Sequence, residues 1–278
     1  AGLFSIEGVL YSAQESIRYK ARDLLGADVI ISSWRALDDP WSMATKAQLN
    51  DRGKIAEALE LATMAKVDAQ SQAVPRLVSL KAVSHQYPLI GELKVASVSE
   101  EGSLLSPQIE TGEDLAEGEV WVAQSIWERF QSQQPLSNKY TLSISGQSLT
   151  VSGVIESEPD GGFAGALSFA PRVMMHKDTL HRLGLIRFGS RVRRKLFFAF
   201  PTSVSEDEVN TFTEQLTHNV PDYIRVQNFI TGQQNISTLL ERVGLFFSMV
   251  ALVALMLCLL AFTSGVWGLV NDLLPQIA

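Results

Sequence analysis

Cysteine is almost absent from the sequence. Its single cysteine, Cys258, lies inside a long apolar run. One cysteine excludes an intrachain disulfide framework, a cysteine-based zinc site and a C-x-x-C redox motif. The remainder of the chain contains no thiol, and it is therefore compatible with an oxidising compartment.

Charged residues are also scarce. They make up 19% of the chain, below the usual ~25%. The deficit is local, because no charged residue occurs from Val243 to Asn271. The formal net charge of -7 argues against a nucleic-acid partner, which would require a basic surface.

The run Val243–Val270 is long and apolar enough to cross a membrane. As a helix it would be about 40 Å long at ~1.5 Å per residue, whereas the hydrocarbon core is ~30 Å thick. Buried core helices are usually shorter and carry some polar residues. The sequence therefore predicts a membrane-spanning helix with surplus length for tilt or for a stalk above the bilayer.

The motifs of nucleotide and hydrolase chemistry are missing from the sequence. The glycine-rich stretch 160–165 lacks the Gly-Lys-Ser/Thr ending of a P-loop, and we interpret it as a loop. The serine-hydrolase pattern G-x-S-x-G does not occur. None of the four histidines has metal-ligand spacing: His85, His176, His181 and His218. We therefore predict no catalytic, cofactor-binding or metal-binding residue and no cofactor in this chain.

Three carboxylates alternate at one predicted strand end: Glu156, Glu158 and Asp160. Alternate residues of a strand share a face, so these side chains could form a pair for acid–base catalysis. Since no nucleophile or orienting residue accompanies them, a solvated turn is the favoured interpretation.

A basic cluster precedes and enters another predicted strand. It consists of Arg187, Arg191, Arg193, Arg194 and Lys195. These side chains could contact lipid phosphates or an acidic partner surface. The alternative is a solvated strand edge, which basic residues commonly protect.

Hydrophobic periodicity predicts helices at both ends and a mixed interior. Residues 1–25 have the helical period, and Gly26 occupies the expected helix C-cap. Helices are also predicted over Ser42–Leu61 and Ser205–Asn219, the latter capped by Ser203 or Ser205. Further helices are predicted over Ala123–Gln131 and Lys177–Leu183, and 235–270 is predicted to continue as one helix into the membrane.

Strands are predicted from β-branched runs and period-two patterns bounded by turn residues. They cover Asp28–Ser33, Thr63–Ala69, Arg76–Val83, Leu89–Val98, Glu119–Ala123, Tyr140–Ser145, Ser148–Ile155, Leu167–Met174, Arg193–Phe200 and Tyr223–Gln227. The interval from Ser99 to Lys195 is the part richest in short strands.

Several segments in this order resemble the MacB-like periplasmic core domain of FtsX/MacB-like ABC-transporter permeases, and most closely their YbbP-like branch. The matching segments are Leu24–Ser32, Val83–Leu93, Gly118–Ala123, Val151–Asp160, Ala170–Met175 and Thr179–Val192. One departure is Pro135-Leu136-Ser137-Asn138, where the family often has a turn containing Gly-Asp.

The resemblance implies an α+β fold with a definite organisation. We expect 1–26 to be the end of a first membrane helix and a stalk helix. An α/β porter-like subdomain would comprise 27–95 plus 196–232, with a β-rich inserted subdomain at 96–195. A stalk and transmembrane helix would follow at 233–270. Residues 271–278 would be a truncated tail, so we expect the chain to be a piece of a longer protein.

The resemblance also implies a non-enzymatic role in transport. The domain would couple ATP hydrolysis by a cytoplasmic ABC ATPase subunit to periplasmic movement, for extraction or export of a hydrophobic or amphiphilic cargo. Other expected partners are the remainder of the permease, membrane lipid, and a periplasmic hydrolase or carrier protein. The expected location is the bacterial inner membrane, with the globular domain in the periplasm. The alternative is a membrane-anchored regulator that activates or docks an extracytoplasmic hydrolase.

The two terminal helices are expected to pack as a stalk. Both helices would enter the domain from the same membrane face and would therefore lie side by side. Each has an apolar stripe, which packing against the other helix would bury. The predicted contacts join Ile17, Ala21 and Leu24 to Ile236, Leu239 and Leu240.

Overall fold

The computed structural model describes residues 22–23, 25–67, 74–99, 101–133, 140–161, 170–187, 189–201, 204–218, 220–230 and 243–264. The chain divides into two compact units. One comprises Ala21–Gly232, and the other comprises Ala1–Lys20 together with Gln233–Ala278.

The first unit combines helices with one large sheet, which confirms the predicted α+β class. Its helices are α1 (Pro40–Arg52), α2 (Gln124–Gln133), α3 (Lys177–Arg182) and α4 (Glu206–Thr217). Its strands are β1 (Val29–Ser33), β2 (Lys54–Val67), β3 (Arg76–Val83), β4 (Leu93–Ser97), β5 (Gln108–Glu110), β6 (Glu119–Ala123), β7 (Thr141–Ile144), β8 (Gln147–Ser157), β9 (Arg172–His176), β10 (Arg193–Ala199) and β11 (Ile224–Asn228).

The strands form an 11-stranded sheet in the order β11-β1-β10-β2-β3-β9-β6-β8-β4-β5, with β7 paired to both β2 and β8. Most neighbours are antiparallel, whereas β3–β9 and β6–β8 are parallel. Because β7 joins the far end of β2 to β8, the strands β2, β3, β9, β6, β8 and β7 close into a ring.

Apolar cores cover both faces of the sheet, so several strands are buried throughout. On β10, Phe197 belongs to one core and Phe198 to another, as the period-two alternation of a strand requires. A third core fills the ring of strands, and it includes Trp127 and Phe130 of α2. Burial on both faces explains the nearly continuous apolar sequence of these strands.

The predicted helix over Ser42–Leu61 is wrong beyond Arg52. The start of α1 follows local rules, because Asp39 caps it by accepting the N–H of Ser42 at 3.0 Å and Pro40 occupies its first turn. The chain then continues from Gly53 directly into β2. Pairing of β2 with β10 and β3 therefore determines the conformation of 54–61.

The predicted helix after Ser205 is confirmed as α4. The Ser205 hydroxyl accepts the N–H of Glu208 at 3.3 Å, and Glu208 in turn accepts the N–H of Ser205 at 3.1 Å. This reciprocal capping box satisfies two backbone donors that would otherwise lack partners.

The predicted division into 27–95 plus 196–232 and 96–195 stays a prediction. The ring of strands takes β2 and β3 from the first range and β6 to β9 from the second, so both ranges share one sheet. The boundary between them therefore crosses continuous strand pairing.

The second unit contains α5, which spans Val243–Ser264. It has 22 residues, a mean hydropathy of 2.8 and no buried residue in its most apolar window. At ~1.5 Å per residue its length of about 33 Å matches a ~30 Å hydrocarbon core. The predicted helix over 235–270 is confirmed for Val243–Ser264, and 235–242 and 265–270 lie outside the described part of the chain.

Candidate functional site where the chain enters the domain

The chain enters and leaves the domain through neighbouring strands. β1 pairs antiparallel with β11, and Val29 at the start of β1 lies opposite Asn228 at the end of β11. The N–H of Phe229 also approaches the carbonyl oxygen of Asp28, at 3.4 Å. The two ends of the domain therefore meet at one point of the sheet.

Asp28 ties the entering segment to the sheet. Its side chain is fully buried, and it receives two hydrogen bonds from Arg22, from Nε at 2.5 Å and from Nη2 at 3.0 Å. The N–H of Phe200, just past β10, donates to the same carboxylate at 2.9 Å. Bidentate arginine–carboxylate pairs are strong and directional, so this contact fixes the orientation of the segment before β1. The hydrogen bond to Asp28 raises the pKa of the Arg22 guanidinium.

Gly26 brings the same segment against a second loop. It has a φ of +75°, as the predicted helix C-cap requires, and its carbonyl accepts the N–H of Ile90 at 3.1 Å. A Cβ at this position would lie 3.4 Å from Cβ of Pro159. The entering segment therefore packs beside the short 3₁₀ turn Pro159–Gly161.

Asp160 of that turn forms the centre of a buried ionic network. It pairs with Lys81 of β3 and with Lys195 of β10, and it accepts a hydrogen bond from the Tyr87 hydroxyl. The Lys195–Asp160 distance is 2.9 Å. The Lys81 side chain is completely buried, and that of Asp160 is 2% exposed.

Three further ionic side chains complete this network. Lys195 also binds Glu60 at 2.9 Å, while Arg172 binds Glu158 at 2.9 Å and approaches Glu60 at 3.9 Å. Lysine and arginine thus match the carboxylates in number. A buried network of this kind is favourable only when each charge is compensated, which is the case here.

The network perturbs the ionisation of its members. Burial alone would raise the pKa of Asp160, but Lys81 and Lys195 outweigh it and hold that pKa well below its usual range. Burial would lower the pKa of Lys195, but Asp160 and Glu60 outweigh it and raise that pKa. Burial and the nearby Asp160 carboxylate raise the pKa of Tyr87, which therefore donates a hydrogen bond as a neutral phenol. Asp160 and Lys195 therefore stay charged over a wide pH range, and their ion pair links the 3₁₀ turn to β10.

The favoured interpretation of the three carboxylates as a solvated turn is wrong for Glu158 and Asp160. Sequence reasoning also missed Lys81, although a lysine inside the apolar strand pattern of β3 is a signal of a buried partner. Arg22 and Asp28 were likewise not singled out. Their interaction spans six residues, and no local motif identifies it.

The structure separates the predicted basic cluster. Lys195 is 10% exposed and points into the ionic network, so it is not available for a lipid or partner contact. Arg191 and Arg193 lie over the ring of exposed Trp34, at 5.3 and 6.0 Å from its centroid. Arg187 donates to the carbonyl of Gly184 at 3.0 Å. A contact of the four arginines with lipid or a partner stays a prediction.

Two of the histidines meet in space. The rings of His85 and His176 lie 4.1 Å apart, and Asp178 offers an oxygen nearby, so that the three ligand atoms fall within 4.8 Å of one another. However, Nδ1 of His176 already accepts the N–H of Asp178 at 3.3 Å. A metal at Nδ1 would displace this helix cap, and we assign none.

The predicted stalk contacts lie outside the described residues. This applies to Ile17, Ala21, Leu24, Ile236, Leu239 and Leu240. Their packing stays a prediction from the sequence.

No protein-family model matches the chain. The chain is 24% identical over 249 residues to the uncharacterized ABC transporter permease YbbP of Escherichia coli (strain K12), covering 89% of this chain and 27% of the permease. The chain thus spans about a quarter of the length of this relative.

The chain also aligns with solved structures. The periplasmic region of MacB from Actinobacillus actinomycetemcomitans gives a TM-score of 0.48 at 15% identity, covering 80% of this chain and 96% of that one. The extracellular domain of the noncanonic ABC-type transporter YknZ from Gram-positive bacteria gives a TM-score of 0.43 at 13% identity. This alignment covers 72% of this chain and 100% of the YknZ domain. The predicted resemblance to an FtsX/MacB-like ABC-transporter permease, on its YbbP-like side, is confirmed by the similarity to YbbP.

Proposed function

We propose that the chain is an extracytoplasmic domain and membrane helix of an ABC-transporter permease, and that it converts ATP hydrolysis by a cytoplasmic subunit into movement outside the membrane. The observation that carries this proposal is the pairing of β1 with β11. Because the domain is held at both ends through hydrogen-bonded neighbouring strands, displacement of its attachments would move it as one body.

The contacts around Asp28 supply a route for that movement. Arg22, at the start of the domain, binds Asp28, which also holds Phe200 after β10. Gly26 packs near Pro159, and the adjacent Asp160 anchors β3 and β10 through buried charges. Packed elements joined by such contacts shift as units rather than deforming continuously.

The proposed cargo is hydrophobic or amphiphilic and is extracted from the membrane or exported. The proposed partners are a cytoplasmic ABC ATPase, the remainder of the permease, lipid, and a periplasmic hydrolase or carrier. The proposed location is the bacterial inner membrane with the domain in the periplasm. We propose no catalytic role for the chain, since each carboxylate of the ionic network is held in an ion pair with lysine or arginine.

Substitution of Arg22 tests this coupling. The complete permease, reconstituted with its ATPase, should hydrolyse ATP normally with Arg22→Gln, whereas its movement of a fluorescent amphiphile should fall at least about fivefold. One charged hydrogen-bonded contact is worth ~1.5–3 kcal/mol, enough for this loss. Arg22→Lys retains the charge without the two-pronged geometry and should give an intermediate rate.

The matched control is Arg76→Gln, which removes an exposed arginine at the start of β3 and should leave transport unchanged. Circular dichroism should establish that each variant is folded. Unchanged cargo movement in a folded Arg22→Gln permease would contradict the proposed coupling. If the permease activates a periplasmic hydrolase without moving cargo, the proposed transport function is wrong and a regulatory function takes its place.

A further inference from the structure

A pocket lies on the face of the sheet opposite the ionic network. It has a volume of about 290 Å³ and is bordered by residues of α1, α3 and the strands β1, β2 and β10. Its apolar lining includes Ile31, Leu59 and Leu196 from the strands, with Trp41 and Ile186 beside them. All of these residues belong to the compact unit Ala21–Gly232.

Strand alternation places one arginine in this pocket. Arg194 and Lys195 of β10 both border the pocket. The Lys195 ammonium reaches the ionic network, whereas strand alternation turns the Arg194 side chain to the other face of the sheet, with Leu196. The hydrogen bond of Arg194 is to the carbonyl of Val192, at 3.4 Å. Within the described part of the chain, no carboxylate forms an ion pair with Arg194.

Two further cations, Lys46 and Lys177, also line the pocket. Lys46 of α1 and Lys177 of α3 both pair with Glu57 of β2. Burial would raise the pKa of Glu57, but Lys177 and Lys46 outweigh it and lower that pKa, so Glu57 stays ionised. One carboxylate therefore serves two ammonium groups. Together with Arg194, the pocket has an excess of positive charge beside an apolar floor.

We propose that this pocket binds a single acyl chain carrying an anionic headgroup. The volume lies at the small end of ligand pockets, which begin at ~300 Å³, so one short chain fits and a two-chain lipid does not. The chain lies over Leu59 and Leu196, and the headgroup accepts hydrogen bonds from Arg194. The role of this ligand as cargo rests on the proposed transport function, whereas its binding does not.

Photolabelling of the full chain tests the site. The protein, in nanodiscs of phosphatidylcholine, is labelled with a diazirine analogue of decanoic acid, and the adducts are mapped by mass spectrometry. We expect adducts on α1 and β10 that excess decanoate suppresses. Decyltrimethylammonium has the same chain with the opposite charge and should compete about tenfold less well, as loss of one charge-assisted hydrogen bond implies.

Arg194→Gln should lower the pocket adducts about tenfold. The matched control Arg225→Gln removes an exposed arginine of β11 and should have no effect. Adducts on α5 report ordinary membrane partitioning and should be equal in all variants. Adducts confined to α5, equal competition by the two amphiphiles, or full labelling of a folded Arg194→Gln protein would overturn the proposal. Photolabelling requires no ATP, so the two experiments are independent. Failure of pocket labelling would not contradict the coupling proposal, and failure of the Arg22→Gln transport assay would not contradict the binding site.

Discussion

At the residue scale, Asp160 joins three elements through one carboxylate. Its partners are Lys81 on β3, Lys195 on β10 and Tyr87 in the loop after β3. Because the pKa of Asp160 is lowered in the folded protein, its stabilisation is present above the ordinary carboxyl pKa and is lost as the pH falls through the folded value. The raised pKa of Lys195 acts in the opposite sense, since its stabilisation is present below the ordinary lysine pKa and is lost as the pH rises through the folded value. The stabilising contributions of Asp160 and Lys195 are both present between about pH 4 and pH 10.

We predict that Asp160→Asn destabilises the domain at pH 7. The neutral amide leaves Lys81 and Lys195 without their shared counter-charge, and breaking a buried pair costs about 3–5 kcal/mol. The difference in the free energy of unfolding between Asp160→Asn and wild type should become smaller as the pH falls below ~4, because the Asp160 carboxylate then binds a proton in the unfolded wild-type chain. Urea unfolding at several pH values measures both effects.

The control for this substitution is Asp178→Asn. Its side chain is 66% exposed, so the free energy of unfolding should change by less than about 0.5 kcal/mol. Equal stability of Asp160→Asn and wild type at pH 7 would contradict the role assigned to the network.

The network could not be predicted from the sequence because its partners are remote. Lys81 lies 79 residues from Asp160, and Lys195 lies 35 residues from it. Glu158 and Asp160 follow the end of β8 and do not alternate within a strand. Packing of this turn against β3 and β10, which lie on either side of β2, buries the two side chains. Local composition, rich in glycine and acidic residues, favours solvent exposure instead.

At the element scale, the junction of α1 and β2 depends on close packing at Gly53. The N–H of Gly53 donates to the carbonyl of Leu49 at 3.0 Å and ends the helix. A Cβ on Gly53 would lie 2.8 Å from Cε2 of Phe198 and would also clash with the carbonyl of Ala199. The glycine therefore permits β2 to begin directly beside the end of β10.

We predict that Gly53→Ala destabilises the domain by about 1–3 kcal/mol, the usual cost of overpacking a close contact. The backbone of β10 cannot yield as a flexible side chain would, so the strand pairing must shift. The midpoint of urea unfolding measures the loss. The control Asn50→Ala lies on the exposed side of α1 and should stay within about 0.5 kcal/mol of wild type. A Gly53→Ala protein with wild-type stability would show that the junction has room to relax.

Elements with local signals were predicted best. Arg76–Val83 and Glu119–Ala123 coincide with β3 and β6, since turn residues bound both apolar runs. The reciprocal cap of Ser205 and Glu208 determined the start of α4 in the same way. Two elements were not predicted because pairing with other strands determines them. Residues 54–61 form the start of β2 and not a helix because they pair with β10, and β5 forms because it pairs with β4.

At the scale of the whole molecule, the sequence predicted a mixed domain with a membrane helix after it. It did not predict that β2 contributes to two parts of the sheet. β2 has 14 residues, and it pairs with β10 near its start and with β7 near its end. Its length therefore closes the ring of strands while keeping it joined to β1 and β11. Period-two patterning identifies strands but carries no information about which neighbours they select.

The membrane attachment of the whole chain gives the last prediction. α5 exposes nearly all its large apolar side chains, and its leucine, valine and phenylalanine residues favour insertion by a total of about 4–7 kcal/mol. One arginine near the helix centre costs ~2.5–3.5 kcal/mol, so Leu255→Arg alone should leave the chain membrane-bound. The combined cost of the triple substitution Leu252→Arg, Leu255→Arg and Leu259→Arg exceeds the favourable insertion free energy of α5. This variant should therefore release the chain from the membrane. Carbonate extraction of membranes measures the bound fraction.

The matched control places the same charge on the domain. Leu77→Arg alters a leucine of β3 that is 53% exposed, and it should not change the fraction recovered with membranes. A reporter inserted at the exposed turn Ser145-Gly146 should be active only outside the cytoplasm. Because α5 alone supplies the attachment among the described helices, full membrane recovery of the triple variant would show that other segments hold the chain. A cytoplasmic signal from the reporter would reverse the proposed orientation, since a domain on that side could not act on a periplasmic cargo.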